Sequence, residues 1–302
     1  AGPLIFLWCG GNPQTGIRDF LTLSALGYMG SYLTACLAAP AMLRPRHGAK
    51  AFALKPPIRY PIGQGTGGMQ MENNGWDDSA EAWIADMGDK GDFSRRHVLD
   101  APMLALARGR GFRTALDIGC GEGRFCRMLA AEGIATTGID PTLRLLDAAR
   151  ARDPQGNYLQ ARAEALPFAD ASFDLVVSYL TLIDIDDYAA AIAEMARVLR
   201  PGGSLLIANL NSFSTAGDWT AEGKAAGFLI DNYLDSRAEW ESWNGILIRN
   251  WHRPFHLYMQ ALLKNGLRLA HFDEPAPTGG DAQQVARYRR APWLHVMEWV
   301  RG

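Results

Sequence analysis

The feature that most constrains this chain is a regular alternation of short apolar runs with helical patterns, beginning near Arg113. Five of these apolar runs have the length and composition of strands. They are "TALDI" (114–118), "ATTGID" (135–140), "NYLQAR" (157–162), "FDLVVSY" (173–179) and "SLLIANL" (204–210). Strands that alternate with helices at this pitch form right-handed βαβ units. The sequence therefore predicts an α/β fold with a doubly wound parallel sheet.

In such a sheet, ligands bind outside the carboxyl ends of the strands. The first predicted strand runs into "LDIGCGEGRF" (116–125), in which Gly119, Gly121 and Gly123 follow a G-x-G-x-G spacing. A phosphate-binding P-loop requires a Gly-Lys pair, which this segment lacks. A dinucleotide-binding fingerprint requires its third glycine at the position of Arg124. The spacing therefore fits a diphosphate ligand poorly.

S-adenosylmethionine, which carries no phosphate, is the remaining candidate ligand. Its methionine part must lie beside exposed backbone, and glycines provide such backbone. Asp117, at the end of the first strand, is placed to face the ammonium group. Asp140, at the end of the second strand, is placed to accept hydrogen bonds from both ribose hydroxyls. Enzymes that bind NAD also use an acid there, so the glycine spacing, and not the acid, favours S-adenosylmethionine.

Four segments resemble, in order and at family spacing, the motifs of class I S-adenosylmethionine-dependent methyltransferases. They are "ALDIGCGEGRF", "TTGIDPT", "ARAEALPFADASFDLVVSYLTLIDIDD" and "RVLRPGGSLLIANL", within residues 113–210. The tail "IRNWHRPFHLYMQALLKNGLRLAHFDEP" is similar to the family's closing helix and sixth strand, and "PWLHVMEWVR" is similar to its seventh strand. The resemblance implies a Rossmann-like seven-stranded sheet of order 3-2-1-4-5-7-6, with strand 7 antiparallel and helices on both faces.

The resemblance also implies which residues bind S-adenosylmethionine as cofactor. Those beside the methionine and adenosine would be Asp117, Gly119, Cys120, Gly121 and Gly123. Those at the ribose would be Asp140, Pro141 and Thr142, and those flanking the adenine Ala163 and Glu164. Ser178 and Tyr179 would lie near the sulfonium, and Arg96 would pair with the methionine carboxylate.

Methyl transfer is an in-line displacement, to which alignment of the reactants contributes most. An oxygen or nitrogen acceptor can also require a general base. The candidate bases are His97, His252, His256, Asp184 and Asp186. Each histidine could instead be a hydrogen-bonded packing residue. His252 and His256 have the spacing of helical zinc ligands, but Pro254 lies between them and no third ligand is apparent, so no metal is expected.

Two segments outside the predicted strands are rich in tryptophan. Residues 71–112 are expected to form an N-terminal helical cap. Residues 212–251 are expected to form a lid on the acceptor side, where the family commonly builds its acceptor pocket. The residues proposed for that pocket are Tyr233, Trp240, Trp243 and His256. Packing over the sheet edge is the alternative role for the aromatic residues.

Residues 1–70 differ in composition from the rest of the chain. The run 20–43 has no charged residue and is long enough to span a bilayer, although polar residues dilute it. We interpret 1–70 as a poorly ordered or non-native extension, with a membrane anchor or a genuine subdomain as alternatives. Translation is expected to start at Met69 or Met71. Membrane contact is expected only if 20–43 belong to the protein and insert.

The formal net charge of −2 offers no electrostatic argument for a nucleic-acid partner. The four cysteines form no C-x-x-C pair, which fits a reducing compartment, and a cytoplasmic location is expected. After the fourth strand the chain reads "SYLTL" and lacks the N-P-P-Y-type tetrapeptide of many N-methylating relatives. These observations favour a small-molecule methyltransferase. The alternatives are an S-adenosylmethionine-binding regulatory protein without turnover and an NAD-dependent oxidoreductase.

Overall fold

The computed structural model describes residues 74–220 and 227–302, together with an antiparallel pair formed by Ile5–Phe6 and Thr22–Leu23. The chain divides into two units, Ala1–Gly68 and Met69–Gly302. Most of the run 20–43, and the expected start at Met69 or Met71, lie outside the described residues, so these interpretations stay predictions. Among the helices of the described ranges, none is long and apolar enough to cross a membrane.

Eleven strands follow one another in the described part of Met69–Gly302. They are β1 (Thr114–Ile118), β2 (Ala135–Asp140), β3 (Asn157–Gln160), β4 (Phe173–Tyr179), β5 (Leu199–Leu210), β6 (Gly217–Trp219), β7 (Phe228–Ile230), β8 (Arg237–Trp243), β9 (Ile246–His252), β10 (Leu267–Asp273) and β11 (Leu294–Arg301).

Seven of these strands form one sheet, in the order β3-β2-β1-β4-β5-β11-β10. Strands β1 to β5 are parallel, and β11 is antiparallel to both of its neighbours. The predicted sixth and seventh strands are β10 and β11, because two hairpins, β6–β7 and β8–β9, precede them in the chain. The predicted fold class and strand order are confirmed.

Seven helices occur in the same described part of the chain. They are α1 (Trp76–Met87), α2 (Asp100–Ala107), α3 (Arg124–Ala131), α4 (Leu143–Arg152), α5 (Tyr188–Val198), α6 (Phe255–Lys264) and α7 (Ala282–Tyr288). A π-helical turn, Arg95–Leu99, leads into α2. Helix α5 stops at Val198 because Leu199 already pairs with Phe173 in the sheet.

The hydrophobic core has two layers, one on each face of the sheet. Successive side chains of β4 point to opposite faces, as the pleat of a strand requires. Val176 packs in the cluster that contains Met195 of α5, whereas Val177 packs in the cluster that contains Met103 of α2. All four side chains are 2% exposed or less. Helices therefore cover both faces of the sheet, and its carboxyl edge is left for a ligand.

Hairpin β8–β9 lies between α1 and the chain that follows β4. On one side, the Ser79 hydroxyl donates to the Leu247 carbonyl at 2.9 Å. On the other side, the Trp251 N–H donates to the Ile183 carbonyl at 2.7 Å. These bonds hold the hairpin above the carboxyl ends of the parallel strands.

Candidate functional site

A cavity of about 650 Å³ opens at the carboxyl ends of β1, β2 and β4. The loops after these strands form its floor. The start of α1, the π-helical turn and both hairpins form its walls. Because β1 pairs with β2 and with β4 in parallel, their ends meet at one edge of the sheet. This is the place where doubly wound sheets bind ligands.

The glycine loop after β1 needs its three glycines for two different reasons. All three have positive φ, of 68° at Gly119, 54° at Gly121 and 75° at Gly123. A Cβ added to Gly119 or Gly123 would lie 2.3 or 2.6 Å from a neighbouring side chain. A Cβ added to Gly121 would have only the indole nitrogen of Trp83 near it, at 3.9 Å. Gly119 and Gly121 line the cavity, and Gly121 is the one whose missing side chain keeps space open there.

Arg124 explains why the loop departs from the dinucleotide fingerprint. Its side chain leaves the loop and donates two hydrogen bonds, of 2.9 and 2.8 Å, to the carboxylate of Asp100 in α2. The Tyr179 hydroxyl, at the end of β4, donates to the same carboxylate at 2.7 Å. The arginine therefore joins α3 to α2 and β4, at the position where a dinucleotide-binding loop has a glycine.

Asp140 faces the cavity from the end of β2, and its flanking residues Pro141 and Thr142 also line the cavity. The Asp140 carboxyl is buried and accepts hydrogen bonds from the backbone N–H groups of Gly121, at 3.0 Å, and Thr142, at 2.8 Å. Burial raises the pKa of Asp140 to about 6, although the two backbone hydrogen bonds act to lower it. The carboxyl is thus held at a fixed point of the rim, where it can accept further hydrogen bonds from a ligand.

Three residues expected at the ligand lie beneath the cavity instead. Asp117 is 1% exposed, and its carboxyl accepts a hydrogen bond from the Cys126 thiol of α3 at 3.3 Å. Burial raises the pKa of Asp117 to about 7. Cys120 packs in a small buried cluster, and Ser178 is fully buried within the sheet. For the two strand residues the reason is the pleat, which turns alternate side chains away from the edge.

Of the two neighbouring arginines in the π-helical turn, Arg95 and not the expected Arg96 lines the cavity. Arg96 is exposed and lies outside the cavity lining, whereas Arg95 lines it. The Arg95 guanidinium pairs with Asp92 at 2.9 Å and lies 4.9 Å from the centre of the Trp83 ring. Adjacent residues of a helical turn point in different directions, and here Arg95 faces the cavity while Arg96 faces solvent. Tyr179, expected near the sulfonium, does line it.

The side of the cavity beyond β3 is lined by apolar side chains and by an ion pair. Ile139 and Leu145 line it together with Ala163, one of the residues expected near the adenine. Glu164, the other, also lines the cavity and accepts a hydrogen bond from Arg162 at 2.8 Å. Such a slot, apolar with polar groups at its rim, suits a planar heterocycle.

Asp184 lines the cavity from the chain that follows β4. Its carboxyl accepts a hydrogen bond from the Asn250 amide of β9 at 2.6 Å. Burial raises the pKa of Asp184 to about 8, although the Trp76 indole and the Asn250 amide, as hydrogen-bond donors, act to lower it. Among the expected bases, Asp184 therefore combines access to the cavity with a proton affinity suited to neutral pH.

His252 also lines the cavity, but both of its ring nitrogens have partners. Nε2 lies 2.9 Å from the Tyr233 carbonyl oxygen, and Nδ1 lies 2.7 Å from the Thr215 hydroxyl. Because a carbonyl only accepts, Nε2 must donate, which leaves Nδ1 as the acceptor in the neutral ring. Burial lowers the pKa of His252. The ring therefore ties the hairpins together and is not a free base.

The other three expected bases lie outside the cavity lining. His97 packs against Phe93, with ring centres 5.0 Å apart. His256 is an exposed residue of α6. Asp186 is exposed and accepts a hydrogen bond from Arg249 at 2.6 Å. None of these three is placed to reach a ligand in the cavity.

Of the aromatic residues proposed for the acceptor pocket, only Trp243 lines the cavity. Trp240 is 44% exposed on the opposite side of β8, and Tyr233 packs against the His252 ring. The alternation of β8 accounts for this difference, because Glu239, Glu241 and Trp243 share its inner face. Several cavity residues were not proposed from the sequence: Trp83, Arg95, Thr181, Glu239, Glu241 and Asn250. The period-two pattern "EWESW" is the signal that would have identified the two glutamates.

The donor set of the cavity fits S-adenosylmethionine. Asp140 offers a carboxylate to vicinal hydroxyls, Arg95 a guanidinium to a carboxylate, and Gly121 leaves room beside its backbone. The apolar side beyond β3 offers a slot to the adenine. Within the described ranges, no group of three or more His, Cys, Asp or Glu is arranged to hold a metal ion.

Comparisons with known proteins agree with this fit. A family model described as a methyltransferase domain matches residues 116–207. A demethylmenaquinone methyltransferase of Beutenbergia cavernae is 31% identical over 192 residues, which cover 57% of this chain and 78% of that protein. A malonyl-[acyl-carrier protein] O-methyltransferase of Salmonella typhimurium is 39% identical over 116 residues, 38% of this chain. The chain spans 46% of the length of that second relative.

Solved structures show the same likeness. An S-adenosylmethionine-dependent methyltransferase from Mesorhizobium loti superposes with a TM-score of 0.58 and 27% identity, over 66% of this chain and 96% of that chain. The CcbJ methyltransferase from Streptomyces caelestis has a TM-score of 0.54 at 17% identity, over 77% of this chain and all of that chain, and shows the shared fold alone.

Proposed function

The chain belongs to the class I S-adenosylmethionine-dependent methyltransferases, and from this premise we propose that it methylates a small molecule bound between the sheet and the two hairpins. S-adenosylmethionine is its cofactor, and when bound it supplies an electrophilic methyl group on positively charged sulfur. The observation that carries the proposal is that one cavity includes both Asp140 at the end of β2 and Trp243 of hairpin β8–β9. In this proposal, the cofactor and the acceptor share that cavity.

In this proposal, residues of the chain bind and orient the two partners. Asp140 accepts hydrogen bonds from the ribose hydroxyls, and Arg95 pairs with the methionine carboxylate. The walls of α1 and the hairpins exclude water and align the acceptor, which is the main contribution that a protein can make to an in-line displacement. The cytoplasmic location and the division into cap, core and lid stay predictions.

The charge of the cavity favours a neutral or cationic acceptor. Seven of the described lining residues are acidic and three are arginines. Two of the arginines already pair with lining acids, Arg95 with Asp92 and Arg162 with Glu164. Asp184, with a pKa of about 8, is mostly protonated at neutral pH, but the other acids still outnumber the arginines. This surplus of carboxylates raises the local concentration of cations and disfavours anions. An anionic acceptor of the malonyl type, which the Salmonella relative's name states, is therefore expected to be a poor substrate here.

The test is to incubate the full chain with S-adenosylmethionine and a panel of primary amines, tertiary amines, phenols and a malonyl thioester. Formation of S-adenosylhomocysteine and of methylated product is measured by mass spectrometry. We expect turnover with a neutral or cationic member of the panel. Binding of S-adenosylhomocysteine without turnover on any member would support the alternative of a regulatory binding protein. Tighter binding of NAD than of S-adenosylhomocysteine would overturn the proposal.

The substitution Asp140→Asn tests the cofactor half of the site. We expect it to weaken S-adenosylhomocysteine binding by about tenfold or more, because a hydrogen bond to a charged group contributes roughly 1.5–3 kcal/mol. Isothermal titration calorimetry measures the effect. The control is Asp147→Asn, which changes an exposed carboxylate on α4 that pairs with Arg150. Equal affinities of the two variants would contradict the assignment.

A further inference from the structure

The chain between β4 and α5 is held in one conformation from several directions. The buried guanidinium of Arg253 donates hydrogen bonds of 2.6–3.0 Å to three backbone carbonyl groups of this segment, those of Leu182, Ile185 and Asp186. Strand β9 adds the hydrogen bond from the Trp251 N–H to Ile183. Arg253 also lies 4.5 Å from the centre of the Trp251 ring and 4.8 Å from that of Tyr188. A buried arginine is thus used to fix the backbone of this segment.

The segment begins with a strained residue. Leu180 has a φ of 57°, in the left-handed region that a leucine rarely adopts. Strain of this kind persists only where the surrounding structure enforces it, and it is concentrated at functional sites. Leu180 lies at the cavity, directly after the strand end at Tyr179. The fold therefore forces the chain to turn at the point where it meets the ligand space.

The ionisable side chain that this segment presents to the cavity is that of Asp184. Asp186 and Asp187 point elsewhere, the first to Arg249 and the second to the N-terminus of α5. The Asn250 amide donates a hydrogen bond of 2.6 Å to Oδ1 of Asp184. A carboxylate has about four lone-pair sites, so the donors from Asn250 and Trp76 leave acceptor capacity for a ligand.

We propose that Asp184 accepts the proton that the methyl acceptor loses during transfer. This inference rests on the proposed function. The acceptor nitrogen or oxygen bonds to the methyl carbon, and the bond from that carbon to sulfur breaks with its electron pair left on sulfur. The proton of the acceptor N–H or O–H passes to a carboxyl oxygen of Asp184 and then to water. The acceptor is accordingly an amine or hydroxyl compound that carries a removable proton.

The surroundings of Asp184 match this role. The charged or titratable groups that face it are Asp140 from β2, Arg95 from the π-helical turn and Tyr258 from α6. Burial, together with Asp140, raises the pKa of Asp184 to about 8, although Trp76, Arg95 and Asn250 lower it. Since the ionised form accepts the proton, turnover should rise with pH until about 8 and then level off.

The first experiment uses sinefungin, an S-adenosylmethionine analogue in which an amine-bearing carbon replaces the methyl sulfonium. Its affinity for the full chain is compared with that of S-adenosylhomocysteine by calorimetry at pH 8.5. A carboxylate facing the transfer point should favour sinefungin by about tenfold through a charge-assisted hydrogen bond. Asp184→Asn should remove this preference and leave S-adenosylhomocysteine affinity within about twofold, since S-adenosylhomocysteine has no amine at the transfer point for the carboxylate to pair with.

Asp186→Asn is the matched control, because it makes the same change two residues away on an exposed carboxyl outside the cavity, and it should keep the preference for sinefungin. If Asp184→Asn binds sinefungin as wild type does, the inference is overturned while the proposed function stands. If wild type binds neither compound, the proposed function itself fails. Loss of both affinities in Asp184→Asn would show a structural role and would also overturn the inference.

The second experiment measures kcat against pH with the amine or phenol of the panel that wild type methylates. Asp184→Asn should lower kcat by about a hundredfold or more, the usual contribution of a general base. The rise toward pH 8 should disappear in this variant. A rise retained with the same midpoint would assign it to another group and overturn the inference.

Discussion

At the scale of single residues, Asp117 and Asp140 end neighbouring parallel strands, yet their carboxyls have different surroundings. Asp140 faces the cavity and accepts two backbone N–H groups. Asp117 is directed toward α3 and has a thiol as its hydrogen-bond donor. Both pKa values are raised by burial, to about 6 and about 7. The first carboxyl is positioned for a ligand, and the second is a buried acid whose charge costs stability.

The substitution Asp117→Asn tests that cost. The folded-state pKa of Asp117, about 7, lies above its ordinary value of 3.8, so the folded protein prefers the protonated carboxyl. Its contribution to stability is fully present below about pH 4 and is lost as the pH rises through about 7. An asparagine does not titrate. Relative to wild type, the variant should therefore gain free energy of unfolding as the pH is raised from 5 to 9.

Urea unfolding of the full chain without cofactor measures this difference at each pH. The control is again Asp147→Asn, which makes the same acid-to-amide change at an exposed position of α4. A constant difference for Asp117→Asn would contradict the raised pKa.

At the scale of elements, the glycine loop contains glycines required for packing and, in our proposal, a glycine that makes room for the ligand. Gly119 and Gly123 have positive φ and no room for a Cβ, so they allow the loop to pack on its neighbours. Gly121 has positive φ and open space on the cavity side. The motif could be found in the sequence because its spacing is local, but only the packed structure separates the two roles.

The substitution Gly121→Ala separates binding from strain. An alanine at positive φ costs roughly 1–2 kcal/mol of stability wherever it occurs. Gly133, just after α3, has a φ of 83°, and a Cβ added there would have no atom within 4 Å. Gly133→Ala should therefore introduce backbone strain without affecting the cavity. The two variants should lose similar stability in urea unfolding. Only Gly121→Ala should also bind S-adenosylhomocysteine about tenfold more weakly, by calorimetry, as roughly 1.4 kcal/mol of lost contact would produce. Equal affinities would show that the loop does not border the ligand.

At the scale of the whole molecule, the two core clusters and the cavity consist of residues from Met69–Gly302. This unit is large enough to bury a core of its own. We therefore expect a chain of residues 69–302 to fold alone. Its circular dichroism spectrum should show folded α/β structure, and its affinity for S-adenosylhomocysteine should lie within about twofold of that of the full chain, because the residues that line the cavity are unchanged. A chain that fails to fold would show that residues 1–68 are needed for folding, and a folded chain that binds much more weakly would show that they contribute to binding.

The sequence by itself determined the parallel sheet, its strand order through family resemblance, the glycine loop and Asp140. These follow from periodicity and from motifs whose members are neighbours in the chain. Such patterns can be recognised without knowledge of how the elements pack. The tertiary structure alone decided which member of each pair faces the cavity: Arg95 and not Arg96, Trp243 and not Trp240. It also joined Asp184 to Asn250, 66 residues away, and to the backbone clamp of Arg253. The physical reason is that a side chain's direction and its distant partners depend on how the elements pack. The spacing of residues along the chain does not predict that packing.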